Sequence, residues 1–169
     1  MPASRADLFA LFDELEIDHK TTEHQPVFTV EESAEIKASL PGVHTKNLFL
    51  KDKGGNFFLI CAESHARIKV NKLHPHLGCK RLSFGKAEYL MEHLGVEPGS
   101  VTLFSVMNDK PGAVKLIVDK TLADADIVNF HPLKNDATTA ISADDMIKFA
   151  KATGHEPLIM DFAILTPDE

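Results

Sequence analysis

Polar side chains that could do chemistry are concentrated in two stretches of the chain, each at the edge of an apolar strand. Residues 44–50 contain Lys46 and Asn47, and residues 129–142 contain His131. Asparagine, histidine and lysine are poor fillers of strands, so their position in β-type runs indicates a site built on rigid elements. An ammonium at the start of a strand can neutralise a phosphate, and an imidazole beside a strand-ending proline can face a pocket. Considered singly, however, the lysine fits an ordinary surface residue and the histidine a buried, satisfied one.

A glycine turn is the third candidate. Residues 97–102 predict a tight turn before a strand and contain Gly99 and Ser100. A glycine in such a turn lets backbone N–H groups approach a ligand oxyanion closely. Without other evidence, this segment is simply a turn.

The common cofactor and covalent-catalysis motifs are absent from the sequence. It contains no nucleophile elbow, P-loop, dinucleotide fingerprint, paired-carboxylate motif or HExxH. His74, His76 and Cys79 have a spacing compatible with a metal site, but a fourth ligand is not evident and loop histidines are commonplace. Cys61 lies in a hydrophobic run and is more typical of a core residue than of a reactive thiolate. We therefore predict no metal and no cofactor.

Composition predicts one globular domain over residues 1–169, with 44% hydrophobic residues. The 18 Lys and Arg residues against 25 Asp and Glu give a net charge of -7, which disfavours long-range attraction to nucleic acid. Any RNA contact must therefore be local. The basic residues are denser in the middle of the chain, where a solvated face is at least as good an explanation: Arg67, Lys69, Lys72, Lys80, Arg81 and Lys86.

The two cysteines, Cys61 and Cys79, lie in apolar or mixed stretches and favour a reducing compartment over a disulfide framework. The first seven residues lack the basic and apolar regions of a secretory signal. No apolar run reaches the roughly 18 residues that a membrane span needs. These features predict an unexported, cytoplasmic protein.

Periodicity and capping residues predict an α+β domain whose mixed, largely antiparallel sheet is flanked by helices. Helices are predicted from Ser4 to about Glu16 and over residues 31–38, 86–94 and 142–153, with a helical turn at 69–73. Residues 47–50 and 57–61 predict a β-hairpin around the Lys-Gly-Gly-Asn turn. Further extended segments are predicted at residues 19–24, 101–106, 114–118, 127–130, 138–141 and 157–162.

Nearly the whole chain, from about Phe9 to Phe162, resembles the prolyl-tRNA synthetase-associated editing family. Four segments resemble its trans-acting Ala-tRNA(Pro) deacylase branch: FTVEE at 28–32, LPGVHTKNLFL at 40–50, RLSFG at 81–85, and residues 129–142. The resemblance implies hydrolysis of an aminoacyl ester by water, with assistance from a ribose hydroxyl of the substrate and backbone stabilisation of the oxyanion. Such an enzyme raises fidelity because a synthetase pocket sized for proline cannot strongly reject the smaller alanine.

The resemblance also implies roles for the candidate catalytic residues. Lys46 is similar to the family lysine that holds the phosphate of the 3′-terminal adenosine, and Asn47 to its neighbour in the site. His131 resembles the histidine that positions the substrate. Gly99 matches the first residue of a Gly-x-x-x-Pro loop whose backbone faces the scissile ester.

The resemblance further implies substrate contacts at Phe28, Thr29 and Ser100. The chain departs from the family at Leu103, where the loop pattern has proline, and this difference bears on loop rigidity and on rate or selectivity. The implied partner is the acceptor end of tRNA(Pro) carrying alanine, with prolyl-tRNA synthetase as a second candidate and no membrane or DNA partner.

Two other functions stay open at this point. One is a deacylase for Cys-tRNA or another small aminoacyl-tRNA. The other is a tRNA-end-binding module that has lost turnover, for which Leu103 is the sequence hint.

Overall fold

The hairpin predicted in the first half of the chain forms the centre of the sheet. The computed structural model describes residues 2–26, 34 and 38–162. Its strands are β1 (Lys20–Glu23), β2 (Val43–Asp52), β3 (Phe57–Glu63), β4 (Leu82–Phe84), β5 (Val114–Asp119), β6 (Ile127–Phe130), β7 (Ala137–Ser142) and β8 (Leu158–Met160). Its α-helices are α1 (Arg5–Glu14), α2 (His74–Leu77), α3 (Ala87–Leu94), α4 (Lys120–Ala123) and α5 (Ala143–Ala152), with 3-10 helices at Val70–Lys72, Pro98–Ser100 and Leu103–Asn108.

The strands form one mixed sheet in the order β1-β7-β6-β2-β3-β5-β8, and β4 pairs with β2 beside this path. The pairs β1–β7, β6–β7, β2–β3 and β2–β4 are antiparallel. The pairs β2–β6, β3–β5 and β5–β8 are parallel. The predicted α+β class with a mixed sheet is confirmed.

The core lies on both faces of this sheet because side chains alternate along its buried strands. On β3, Leu59 and Cys61 belong to a first core cluster, and Phe58, Ile60 and Ala62 to a second. The first cluster contains the buried faces of the three long helices: Leu8, Phe12, Leu90, Leu94, Met146 and Phe149. The second contains Leu50, Leu73, Leu77, Leu82, Met160 and Phe162.

The predicted long helices are confirmed where capping signals are strong. Ser4 and Asp7 form a capping box at the start of α1. Gly95 ends α3 at a φ of 65°, a left-handed conformation that glycine adopts without steric cost. Ser142 caps α5 by accepting a hydrogen bond from the Asp145 N–H. The helix predicted over residues 31–38 lies largely outside the described residues.

The strand predicted at residues 101–106 is wrong. The chain forms the 3-10 helix Leu103–Asn108 instead, and Leu103, Phe104, Ser105 and Val106 are all buried. An apolar run enclosed on all sides carries no period that separates a strand from a helix, and Thr102 caps the helical form through the Phe104 N–H. The short elements β4, α2 and α4 were not predicted. None of the described helices is long and apolar enough to cross a membrane.

Candidate active site

The neighbours of β2 diverge along one of its edges. Strand β3 covers the other edge from Thr45 to Lys51. On the diverging edge, β6 pairs with β2 as far as His44, and β4 pairs with it from Leu50 onward. On this edge, residues 45–48 of β2 pair with no strand of the part of the chain that the structure describes, and we call this unpaired stretch between β6 and β4 the gap. A strand edge of this kind is rigid and can be reached by a ligand.

Polar side chains hold the start of β2 against the end of β6. The Thr45 hydroxyl donates to the backbone oxygen of Asn129 at 2.7 Å. The buried Asn129 side chain donates to the backbone oxygens of Pro41 at 3.0 Å and Val43 at 3.3 Å. Because β2 and β6 are parallel and Asn129 pairs with His44, the chain beyond Asn129 runs in the same direction as β2 toward the gap.

Lys46 and Asn47 face opposite sides of the sheet, as successive residues of a strand must. The Lys46 ammonium donates to the backbone oxygen of Ala66, a residue packed against the second core cluster. Asn47 donates to the Thr45 hydroxyl on the other face at 3.4 Å. The two residues therefore do not line one common surface. They can contact the same ligand only where it crosses the edge of β2.

The side-chain oxygen of Asn47 is buried and has no hydrogen-bond partner among the described residues. In that part of the chain, one other buried side-chain atom shares this property, the Nδ1 of His74. A buried acceptor left without a donor costs about 1–3 kcal/mol. A water molecule or a ligand that reaches this oxygen would satisfy it.

His131 is held in one tautomer. Its Nδ1 lies 3.1 Å from the backbone oxygen of Ala137, and a carbonyl oxygen can only accept, so Nδ1 carries the proton. When the ring is neutral, its acceptor lone pair is therefore at Nε2. The Leu133 N–H donates to the His131 oxygen at 2.9 Å, which closes a tight turn around Pro132. Leu133 has a φ of 72°, a strained conformation for a residue other than glycine.

The glycine turn is attached to the loop that follows β6. Gly99 is exposed within the 3-10 helix Pro98–Ser100, while Ser100 is buried. The Asn135 N–H donates to the Ser100 hydroxyl at 3.1 Å. The segment 129–136 therefore touches both groups of candidate residues, with Asn129 bound to β2 and Asn135 bound to the glycine turn.

Helix α1 fixes the same segment from outside. The Arg5 guanidinium donates to the Pro132 oxygen at 3.2 Å and pairs with Asp136. The hydrogen bond from Arg5 lowers the pKa of the Asp136 carboxyl. The turn that carries His131 is thus held by Arg5 at its centre and at its end.

The structure gathers part of the site predicted from the sequence. Lys46 lies on β2 two residues past its last pair with β6, and His131 directly follows the end of β6. The segment after His131 is bonded to Ser100 through Asn135. Phe28 and Thr29 lie outside the described residues. Sequence reasoning assigned no role to Thr45, Asn129, Asn135 or Arg5. Asparagine inside an apolar strand was the available signal for Asn129, and the signal for Arg5 depends on a contact across 127 residues.

The remaining candidates are the two cysteines and the possible metal ligands. Cys61 is fully buried, burial raises the pKa of its thiol, and its interpretation as a core residue is confirmed. Burial and the nearby Asp52 carboxylate raise the pKa of Cys79. Across residues 2–26, 34 and 38–162, no group of three or more His, Cys, Asp or Glu side chains is arranged to hold a metal ion.

The chain is similar in sequence to known proteins of one family. Residues 24–149 match the aminoacyl-tRNA editing domain. The chain is 36% identical over 156 residues to the prolyl-tRNA editing protein ProX of Acetoanaerobium sticklandii, covering 92% of this chain and 94% of the relative. It is 37% identical over 163 residues to prolyl-tRNA synthetase associated domain-containing protein 1 of Mus musculus, covering 94% and 96% respectively. The chain belongs to the aminoacyl-tRNA editing domain family.

A solved structure described as a candidate trans-editing enzyme for prolyl tRNA synthetase has the same fold. It superposes with a TM-score of 0.68 at 17% identity and covers 95% of this chain and 98% of its own. The predicted resemblance to the prolyl-tRNA synthetase-associated editing family is confirmed, as is the prediction of an aminoacyl-tRNA deacylase.

Proposed function

We propose that the protein, as one editing domain over residues 1–169, is a trans-acting hydrolase that removes alanine from mischarged Ala-tRNA(Pro). The observation that carries this proposal is the edge of β2, where Lys46 and the buried Asn47 acceptor flank a gap next to the segment that bears His131. The names of the relatives from Acetoanaerobium sticklandii and Mus musculus support the connection to prolyl-tRNA.

Lys46 binds the phosphate of the terminal adenosine in this proposal. An ammonium has three donors, so its contact with the Ala66 oxygen is compatible with a phosphate oxygen as a further acceptor. That carbonyl also restricts the direction of the flexible side chain, which reduces the entropy lost when phosphate binds. The buried oxygen of Asn47 accepts a hydrogen bond from a substrate donor, either a hydroxyl or the ammonium of the amino acid.

His131 orients the reacting groups. With its Nδ1 donating to Ala137, its Nε2 can accept a hydrogen bond from the terminal ribose hydroxyl or from the attacking water. Water adds to the ester carbonyl carbon, the carbon–oxygen bond to the ribose then breaks, and the ribose oxygen takes a proton. The products are free alanine and a tRNA with both terminal hydroxyls restored.

The glycine turn stabilises charge in this reaction. Backbone N–H groups near Gly99 donate to the oxyanion that forms on the carbonyl oxygen of the ester, and the absence of a side chain permits a close approach. Ser100, predicted from the sequence to contact substrate, positions this turn through its bond with Asn135. No protein nucleophile is required, because an aminoacyl ester is already activated.

A panel of charged tRNAs tests the proposal. The purified protein is expected to hydrolyse Ala-tRNA(Pro) and to spare Pro-tRNA(Pro), and added chelator should leave the rate unchanged. Faster turnover of Cys-tRNA would assign the other deacylase activity, and binding without turnover would identify a tRNA-end-binding module. A cytoplasmic location, inferred from the two cysteines, stays a prediction.

A further inference from the structure

Phe84 is the most exposed of the large hydrophobic side chains among the described residues, with 65% of its surface accessible. The next, Met91 on α3, is 44% exposed. A single exposed apolar residue is common on protein surfaces and by itself indicates nothing. The position of Phe84 is what distinguishes it, because it lies on the strand that closes one end of the gap beside β2.

The backbone around Phe84 is rigid. Phe84 pairs with Leu50 in the β4–β2 ladder, and the Gly85 N–H donates to the Phe49 oxygen at 2.9 Å. Gly85 also lies against the Phe49 ring, where an added Cβ would come within 2.4 Å of the ring carbons. The phenylalanine ring is therefore presented by an ordered element that has little freedom to fold it inward.

Phe84 and Lys46 lie on the same face of the sheet. Residues directly opposite each other in an antiparallel pair share a face, so Phe84 shares that of Leu50, and Lys46 shares it through the period of two along β2. Leu50 and Lys46 are four residue steps apart along β2, about 14 Å at 3.4 Å per residue. A stacked nucleic-acid strand spans this distance with about four nucleotides, and an extended strand spans it with fewer nucleotides.

The charge around Phe84 favours a polyanion. Lys80, Arg81 and Lys86 are exposed within four residues of it, although the whole chain has a net charge of -7. Two acidic groups are nearby. Glu88 is exposed, while Asp52 is buried and its oxygens accept four hydrogen bonds from the adjacent turn and Lys80. The local excess is therefore positive, which favours a polyanion such as an RNA strand over a partner that is only apolar.

We propose that the Phe84 ring stacks on one of the unpaired bases that precede the terminal adenosine in the single-stranded 3′ end of tRNA. This inference rests on the proposed function and extends it from the reacting end to the nucleotides before it. Aromatic side chains on exposed strands bind unpaired bases through their π-faces, and each such contact is worth about 1–3 kcal/mol. Phe84 is then a positioning residue, which sets how the strand enters the gap.

The test uses uncharged RNA hairpins with a single-stranded CCA end, in which 2-aminopurine replaces one of the two cytosines of that end, a different one in each of two probes. Stacking quenches this fluorophore, so the wild-type protein should lower its emission on binding. Phe84→Ala should bind about tenfold more weakly and relieve the quenching, whereas Phe84→Trp should retain both. Met91→Ala is the matched control, since it removes a second exposed apolar side chain away from β4.

Three results would overturn the inference. Phe84→Ala could bind and quench like the wild type, or it could lose the same affinity for a hairpin that lacks the single-stranded end. It could also keep its RNA affinity while losing binding to prolyl-tRNA synthetase, which would identify a protein-docking surface. Because the assay needs no turnover, a wild-type protein that quenches the probe but does not hydrolyse Ala-tRNA(Pro) would refute the proposed activity alone.

Discussion

The two ends of β2 differ in the hydrogen bonding of their buried polar groups. At the turn end, residues 52–56, the Asp52 carboxylate accepts N–H donors from Gly54 at 2.9 Å, Asn56 at 2.8 Å and Lys80 at 3.1 Å, and from the Asn56 side chain at 3.0 Å. At the site end, which comprises residues 45–47 together with 99–100 and 129–136, the buried oxygen of Asn47 has no partner among the described residues.

This difference separates a carboxylate that stabilises the fold from an amide oxygen that has no donor among the described residues. Burial alone would raise the pKa of Asp52, but its hydrogen bonds with Asn56, Lys80 and Gly54 outweigh that effect and lower the pKa to about 2. The site end instead carries an unsatisfied acceptor and the strained backbone of Leu133. Costs of this kind persist in proteins mainly where function requires them.

The largest expected effect is at Gly99. Gly99→Val adds a β-branched side chain where backbone donors must approach the substrate, so kcat should fall about 100-fold or more. The matched control is Gly54→Val at the turn end, where an added Cβ meets neighbours no closer than 3.4 Å. Single-turnover deacylation of Ala-tRNA(Pro) with thermal melts would measure both. If the Gly99→Val enzyme is active and has the melting temperature of the wild type, this turn takes no part in catalysis.

Lys46→Ala is expected to lower kcat/KM by about 10- to 150-fold, the worth of a charge-assisted contact of about 1.5–3 kcal/mol. Lys51→Ala is the matched control on the same strand, since Lys51 faces the other side of the sheet and lies 5.2 Å from the centre of the Tyr89 ring. If both variants keep wild-type kinetics, Lys46 is an ordinary surface lysine and the proposed phosphate contact is wrong.

Asn47→Leu tests whether the unsatisfied side-chain oxygen of Asn47 binds substrate or only lowers the stability of the fold. The substitution keeps the branching and the number of heavy atoms of the side chain and removes the buried, unsatisfied oxygen, so the free energy of unfolding should stay constant or rise. Activity should fall about tenfold if that oxygen accepts a hydrogen bond from substrate. Urea unfolding and deacylation kinetics on the same preparation would test this. A more stable variant with full activity would contradict the functional interpretation of the site end.

Local signals predicted the turn end better than the site end. The hairpin turn and the caps of α1, α3 and α5 depend on residues close together in sequence, and their chemistry is visible there. The gap beside β2 depends instead on pairing with β6 and β4. The bond between Thr45 and Asn129, for example, spans 84 residues. No periodicity of β2 itself indicates where its neighbours diverge.

The opposite orientation of Lys46 and Asn47 was accessible from strand alternation but was not inferred. The resemblance placed both residues in one site, and the period of two in a strand then requires a ligand that crosses the edge. The 3-10 helix at Leu103–Asn108 could not be predicted in the same way, because burial on all sides removes the periodic pattern. Sequence reasoning was therefore weakest where tertiary pairing or complete burial decides the structure.

Asp52→Asn should affect stability and leave activity nearly unchanged. Since the carboxylate has a lower pKa in the folded protein, its contribution is present above the ordinary value near 3.8 and is lost as the pH falls toward about 2. The variant should be less stable than the wild type at pH 7, by about 2 kcal/mol, and the difference should shrink between pH 4 and pH 2. Urea unfolding across that range measures it, and a difference independent of pH would refute the assignment.

The smallest expected effect is that of Leu103→Pro, which restores the family's loop pattern. Leu103 is the first residue of its 3-10 helix, a position that tolerates proline, and Thr102 before it has the extended φ of −152° and ψ of 151° that proline requires. The leucine side chain is fully buried, so losing about one methylene should cost about 0.8 kcal/mol and lower Tm by about 2–4 °C. A fixed φ beside the glycine turn should keep kcat on Ala-tRNA(Pro) constant or raise it a few-fold, because fewer conformations compete with the one that binds the oxyanion. Thermal melts and single-turnover rates would measure both effects. A tenfold loss of kcat with an intact fold would contradict the prediction and would mean that the reaction requires leucine at this position.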